Sequence, residues 1–315
     1  MNKLQIGVLL PNTGHVASPK AISEVIDAAE KLGVAALWVG DHIALTSQQG
    51  TEYPYKEGSN NSYEVPFDRP YLEAFVSLGF AAALTRECYL GIGVGILPYR
   101  HPLLWAKLIG TVQTLSNGRL HFGIGAGWLK EEFDALSIEY HARGRITDEI
   151  LECLTSLPAA TVSASFQGQK FSFKNMAINP TFASPRRPLV WIGGNTGAAM
   201  RRVAQFGDIW HPHIFGTSPE ILRTKFAEVQ EMAHGKGRTI AGAGLHAPME
   251  IAEKIGPDPW AASLISGPPN YIADTLFKYA EAGVKHVVLT FGGNPQKRAA
   301  TIEKIMEAAR SFTTR

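Results

Sequence analysis

Strand-like and helix-like segments alternate from one end of this chain to the other, which predicts an α/β fold: a (β/α)8 TIM barrel with insertions after strands two and four. Three observations carry the prediction. Eight strand–helix pairs can be counted, the strands read as buried, and several strands run into glycine at their C-terminal ends, the edge where α/β proteins bind ligands. A doubly wound sheet is the competing arrangement. Its dinucleotide fingerprint would follow the first strand, where this chain has Pro11-Asn12-Thr13-Gly14 instead.

Residues 4–10 form the first strand and Pro11-Asn12 ends it. Ser18-Pro19 starts a helix as a cap followed by proline, and Gly33 stops it. The second strand, 36–39, ends in Gly40-Asp41-His42. Residues 44–68 then lose all periodicity and fill with Gly, Ser, Asn, Tyr and Pro; a connection this long is expected to be a lid-like insertion. A helix over 70–84 leads to a third strand over 89–96. With a Pro-containing turn, an amphipathic helix over 101–115, a Ser116-Asn117-Gly118 stop and a fourth strand over 120–124, this makes a βαβ unit. Lys130-Glu131-Glu132-Phe133 opens a short helix, and a longer one spans 145–157. Residues 161–173 alternate polar and apolar around Gln167-Gly168, the mark of a small hairpin insertion. A strand over 189–192 runs into Gly193-Gly194-Asn195-Thr196 and a helix over 198–206, and a strand over 208–210 ends at His211 before a helix over 219–233. Strands near 245–249 and 286–290, followed by helices over 271–282 and 297–312, complete the series. Residues 1–315 read as one domain.

With 45% hydrophobic and 18% charged residues, the 315-residue chain can bury a large core. A net charge of +2 and the absence of a clustered Lys/Arg run favour neither nucleic acid nor a membrane surface as partner. Cys88 and Cys153 form no CxxC and no disulfide or metal spacing, so they read as reduced, buried thiols in a cytoplasmic protein. The N-terminal apolar run is too short for a signal peptide, and no run reaches the roughly 18 residues of a membrane span.

In a barrel, the functional face would hold Asn12, Asp41, His42, 93–98, 125–128, 193–196, His211 and 291–293. The set is rich in glycine and aromatics and poor in carboxylates. No acid pair suggests a glycosidase, no GxSxG an esterase, and no histidine cluster a metal. Close backbone approach and flat side chains suit a planar cofactor that brings its own chemistry. Gly193-Gly194-Asn195-Thr196 ahead of a helix offers backbone N–H groups to a phosphate.

Leu97-Pro98-Tyr99-Arg100-His101-Pro102, Leu115 to Leu120, Gly123 to Trp128 with Glu132-Phe133, Arg143-Gly144-Arg145, and Trp191 to Asn195 with Trp210-His211 are ordered and spaced as one set. Together they resemble the bacterial luciferase-like flavin enzymes. The resemblance implies a (β/α)8 barrel that binds FMN or the deazaflavin coenzyme F420. It also implies a small-molecule substrate, a separate flavin reductase as supplier of reduced flavin, and a homodimer. The first reading is a monooxygenase using reduced FMN and O2; the alternative is F420-dependent hydride transfer, toward which the form Gly40-Asp41-His42 leans. A non-catalytic flavin-binding protein is the reading of another class.

The resemblance also assigns residues. Gly93-Val94-Gly95 matches a strand-three bulge, often with a non-proline cis peptide, that lies against the ring, with Gly125 beside it. Gly193, Gly194, Asn195 and Thr196 match the phosphate site; Arg143 either contacts phosphate or only caps its helix or pairs with Asp148. His42 with Asp41 matches the reacting centre, a buried structural His–Asp pair being the alternative. Asn12, Tyr99, Trp128 and His211 are expected to line the substrate pocket, and Arg119 to form an ion pair at the barrel bottom. Gly127-Trp128 stands where the sugar-phosphate dehydrogenases of the deazaflavin branch have Gly-Glu, so their catalytic glutamate is missing and their substrate does not transfer.

Overall fold

Eight parallel strands close on themselves in the computed structural model, which describes residues 4–55, 67–158, 163–183, 185–291 and 298–312. They are β1 (Gln5–Leu9), β2 (Ala36–Val39), β3 (Tyr89–Ile96), β4 (Leu120–Gly125), β7 (Leu189–Gly193), β8 (Ile209–His211), β9 (Gly242–Ile251) and β11 (Val284–Phe291). The barrel runs β1-β2-β3-β4-β7-β8-β9-β11 and shuts through β11 on β1. The hairpin is β5 (Ser163–Gln167) against β6 (Ser172–Ala177), antiparallel and outside the barrel, turning at the expected Gln167-Gly168. Around the strands lie α1 (Pro19–Leu32), α2 (Ala74–Leu84), α3 (Pro102–Leu115), α5 (Arg143–Ser156), α6 (Gly197–Phe206), α7 (Pro219–His234), α9 (Pro269–Glu281) and α10 (Arg298–Phe312). Two short helices, α4 (Lys130–Ala135) and α8 (Pro259–Ala262), sit in connections.

Local signals explain most boundaries. The Ser18 hydroxyl accepts from the Ala21 amide and Gly33 ends α1 at φ +73°, a conformation only glycine enters cheaply. α2 starts later than the sequence suggests because Glu73, not Pro70, caps it by accepting from the Val76 amide. β9 is longer than expected, and α8 with a three-residue strand β10 (Ile265–Gly267), paired to β9, forms a further insertion. Such short elements carry too few residues to show a period.

Odd and even strand positions divide the core. Outward residues such as Val8, Leu37, Leu90, Phe122, Ile192 and Leu245 pack under the helices. The lumen is filled differently, by Trp38, Trp191, Ile209 and Val288 with Tyr89 and a set of histidines. Room for the two indoles comes from glycine: a Cβ on Gly91 would lie 2.4 Å from the Trp38 ring, and one on Gly244 2.3 Å from Trp191. His121 stacks between Tyr89 and Trp38, Trp38 stacks on His211, and His211 on His246, so parallel rings climb from the bottom of the barrel toward its mouth.

Cys88 and Cys153 are free and buried. Arg119 makes no ion pair among the described residues; its guanidinium donates to the Thr85 carbonyl and hydroxyl and to the Cys88 carbonyl, stitching α2 to β3 and β4. No helix among the described residues is long and apolar enough to cross a membrane.

Candidate functional site

The mouth of the barrel is shaped first by β3. Its pairing with β4 slips between Ile92 and Gly95, and the Gly93–Val94 peptide is cis. The slip turns Val94 inward. A Cβ on Gly125 would lie 2.7 Å from its side chain and one on Gly193 2.9 Å, so those two glycines leave the space in which Val94 stands as a knob at the top of the lumen. Gly93 faces the Trp38 ring edge, whereas Gly95 faces outward, where a Cβ would meet Trp105 at 2.9 Å. Gly95 thus accommodates α3 and is removed from the mouth.

Behind the bulge lies a buried clamp. Asp41 accepts from the Ile96 amide at 3.0 Å and takes a two-point contact from Arg100 at 2.7 and 2.8 Å, and Arg100 also reaches Glu73 at 3.0 Å. Both oxygens of Asp41 are committed to Ile96 and Arg100 and its side chain is fully buried, so it positions the end of β3.

His42 is paired with Glu132 of α4, not with Asp41. Its Nδ1 lies 2.6 Å from Glu132 Oε2, which also accepts from the Tyr99 hydroxyl at 2.9 Å, while Oε1 accepts from the Ile43 and Ala44 amides at 2.6 and 3.1 Å. Burial pushes the Glu132 carboxyl up, but these donors outweigh it and hold it below the usual carboxylate range. An ionised Glu132 accepts a hydrogen bond from the Nδ1–H of His42, which fixes the ring orientation and leaves Nε2 turned away from the carboxylate. Burial, and then the Glu132 charge, push the Tyr99 phenol up.

An aromatic wall surrounds His42: Tyr71 at 5.3 Å and Trp128 at 6.5 Å, with Tyr53 edge-on to Trp128 at 5.1 Å. Tyr53 belongs to a strap, 43–55, laid across the mouth. Glu131 holds its middle through the Gly50 and Thr51 amides and the Thr51 hydroxyl, at 2.6 to 2.8 Å. Its far end carries Tyr55, stacked on His213 at 4.7 Å, with its carbonyl accepting from Ser263.

Three strands round the barrel from β2, the N-terminus of α6 follows the C-terminal end of β7. Thr196 caps it by accepting from the Ala199 amide, and the Gly197 and Ala198 amides find no acceptor among the described residues. Arg201 Nη1 lies 3.5 Å from the position of a Gly197 Cβ, adding positive charge to the helix end. Asn195 is spent elsewhere: its amide nitrogen donates to the His213 and Phe215 carbonyls and to Thr217, and its oxygen accepts from the His213 amide. It braces the loop after β8.

The family model described as luciferase-like monooxygenase matches residues 4–252. The chain belongs to that family. A Mycobacterium tuberculosis protein without an assigned activity is 24% identical over 306 residues, 94% of each chain. The FMNH2-dependent dimethylsulfone monooxygenase of Pseudomonas fluorescens is 28% identical over 163 residues, 50% of this chain and 43% of its own. Among solved structures, an F420-dependent secondary alcohol dehydrogenase superposes with a TM-score of 0.77 at 15% identity, covering 98% of this chain and 99% of its own. The EDTA monooxygenase of Chelativorans superposes with a TM-score of 0.77 at 14% identity, covering 99% and 94%.

Several residues expected at this luciferase-like site lie away from its mouth. Asn12 is fully buried, and its side chain ties β1 to β2 through Gly40 and Leu72. Tyr99 is behind Glu132, and His211 is inside the lumen with Nδ1 3.1 Å from the Gly244 carbonyl. Arg143 lies on the Tyr140 ring at 3.9 Å and donates to its carbonyl; Asp148 pairs with Arg202 instead. Trp128, Val94, Gly125, Gly193, Gly194 and His42 do gather at the mouth. The face is less poor in carboxylates than the strand ends suggest, because α4 brings Glu131 and Glu132 to it. Glu132-Phe133 stood in the sequence as part of a motif, with nothing to assign the glutamate a partner ninety residues away. Residues 56–66 of the expected lid-like insertion and residues 292–293 lie outside the described residues.

Proposed function

We propose that this protein is a flavin-type oxidoreductase that uses reduced FMN and O2 to oxidise a small organic molecule. The observation that carries the reading is that the Val94 knob, the α6 N-terminus and the His42–Glu132 pair all stand at the C-terminal ends of neighbouring strands β2, β3, β4 and β7. The residues suit a planar, phosphate-bearing cofactor. Val94 supports a ring face, the Gly197 and Ala198 amides with Arg201 receive the phosphate, and Trp128, Tyr53 and Tyr71 keep water from the ring. When bound, reduced FMN supplies the electrons that activate O2.

The chain's own contribution is positional. Glu132 holds His42 by Nδ1, and His42 gives or takes a proton at Nε2 as the substrate reacts. His42→Ala is expected to lower turnover while folding and cofactor binding are largely kept. The dimethylsulfone enzyme, similar over half of this chain, favours the monooxygenase. Gly40-Asp41-His42 favours the second reading, F420-dependent hydride transfer, in which O2 plays no part.

A homodimer accords with α2, an uncharged helix exposing Val76 (73% exposed), Phe80 and Leu84, with Leu104 and Leu115 of α3 exposed as well. A separate reductase delivering reduced FMN would be the further partner of the monooxygenase.

The deciding experiment is anaerobic titration of purified protein with FMN, reduced FMN and F420, followed by absorbance and fluorescence. Tight binding of reduced FMN and consumption of O2 with a substrate supports the first reading. Preference for F420 moves the function to hydride transfer, and binding of neither refutes both.

A further inference from the structure

Tyr55 is placed where a cofactor phosphate would have to arrive. Its ring lies over His213 at 4.7 Å with the planes 14° apart, and its hydroxyl is 3.6 Å from the position of a Cβ on Gly194, at the approach to α6. The Asn195 backbone amide counters part of the upward push that burial exerts on the phenol, so the hydroxyl is directed at the same polar end. A neutral oxygen there satisfies only weakly a helix terminus suited to an anion. The strap that carries Tyr55 is fastened at separate points. Glu132 holds residues 43 and 44, Glu131 holds residues 50 and 51, and the distal end rests on His213 and Ser263. The distal end can therefore leave while the Glu132 attachment, and with it the orientation of His42, stays in place.

We propose that Tyr55 is an exchangeable stand-in for the cofactor phosphate. Its hydroxyl occupies the approach to the α6 N-terminus and yields it to the phosphate on binding, which makes Tyr55 a determinant of selectivity between phosphorylated and dephosphorylated cofactor. The inference rests on the proposed cofactor reading. Entry of the phosphate requires the Glu131–Thr51 clasp to loosen, since the Thr51 hydroxyl and amide hold the strap beside Tyr53 and Tyr55.

The test is a pair of affinities measured without turnover. FMN and riboflavin are titrated into wild type and Tyr55→Phe, or F420 and its dephosphorylated riboside if wild type prefers the deazaflavin. Phenylalanine keeps the stack on His213 and removes the competing oxygen. The affinity for the phosphorylated cofactor should rise about three- to tenfold, the worth of one hydrogen bond, with that for the dephosphorylated one unchanged. A weaker or unchanged affinity for the phosphorylated form overturns the exchange, as does an equal rise for both forms, which would mean that the ring is the obstacle. Thr51→Val gives a second reading: stopped-flow binding of the phosphorylated cofactor should be several-fold faster, and an unchanged rate removes the clasp from the entry step. If wild type binds neither cofactor pair, the cofactor reading itself fails, a result separate from binding that ignores Tyr55.

Discussion

Lowering the pH from 7.5 to 5.5 should destabilise this barrel by about 5 kcal/mol through the histidines of its lumen. Burial holds His121 and His211 down to about 3, and His246 and His286 down to about 4. Fixed cations add to burial, Arg186 at His121 and Lys285 at His286, and protonating one lumen histidine would further disfavour protonation of the next. All four stay neutral in the folded protein across this range, while in the unfolded chain they protonate near pH 6.5. A folded pKa below the unfolded one means that stability is fully present above pH 6.5 and is lost as the pH falls toward about 4 for His246 and His286 and about 3 for His121 and His211. At pH 5.5 protonation favours the unfolded state by about 1.4 kcal/mol per histidine, hence about 5 kcal/mol for the four. That is a large part of the roughly 5–15 kcal/mol typical of a domain. The carboxyls held low, Glu30, Glu131 and Glu132, respond only as the pH falls below about 4.5, so they leave this window to histidine. Urea unfolding at pH 7.5, 6.5 and 5.5 measures the effect. His121→Phe keeps a ring between Tyr89 and Trp38 without the titrating nitrogen and should remove about a quarter of the pH dependence. A midpoint level from pH 7.5 to 5.5, or a variant with the wild-type slope, refutes the reasoning.

Three further outcomes are expected. Glu132→Gln replaces an acceptor of four donors by a group that itself donates, which should cost about 2–4 kcal/mol of stability and lower turnover by releasing His42; wild-type turnover in a folded variant would separate the pair from the chemistry. Asp41→Asn leaves Arg100 buried with only Glu73 as an ionic partner and should cost about 3–5 kcal/mol in thermal or urea unfolding, and a loss below about 1 kcal/mol would show that the clamp is dispensable. Gly91→Ala forces a methyl to 2.4 Å from the Trp38 ring and should cost at least about 1–3 kcal/mol; in Trp38→Leu the same change should be tolerated, and an equal loss in both backgrounds would refute the packing argument.

The barrel was legible in the sequence because its evidence is local. Apolar runs, a Ser-Pro start and a Gly33 stop mark elements whose boundaries rest on residues a few positions apart. The β3 bulge was expected at Gly93-Val94-Gly95 through the family resemblance, the glycines by themselves marking only a strand end open to close approach. What the sequence concealed is what depends on the side of a strand and on distant pairing. Gly95 and Gly93 are alike on paper, yet the register slip between them sends one toward Trp105 and the other toward Trp38. His211 looked like a mouth residue because it ends its strand, but β8 is three residues long and an inward side chain there still lies within the lumen. Alternation offered a usable signal: His121, His211 and His246 each stand on the inward side of a strand between apolar neighbours, a pattern that predicts a polar lumen, whereas His286 follows the exposed Lys285 and gives no such sign.

Asp41 and His42 are adjacent in sequence, which suggests a reacting pair, yet the structure divides them. One is clamped by Arg100 behind β3, and the other is held by Glu132 at the mouth. The same division occurs in α4, where Glu132 is sealed in against His42 and its neighbour Glu131, on the outer side of the same turn, takes the strap. Successive residues at the end of a strand or in the first turn of a helix point in different directions, so each pair supplies one inward and one outward group. The two glutamates therefore connect the orientation of His42 and the position of the strap through a single helical turn. A displacement of α4 must disturb both, whereas loosening the Thr51 contact disturbs only the strap, and that difference is what lets the entry of a cofactor be tested apart from proton transfer at His42.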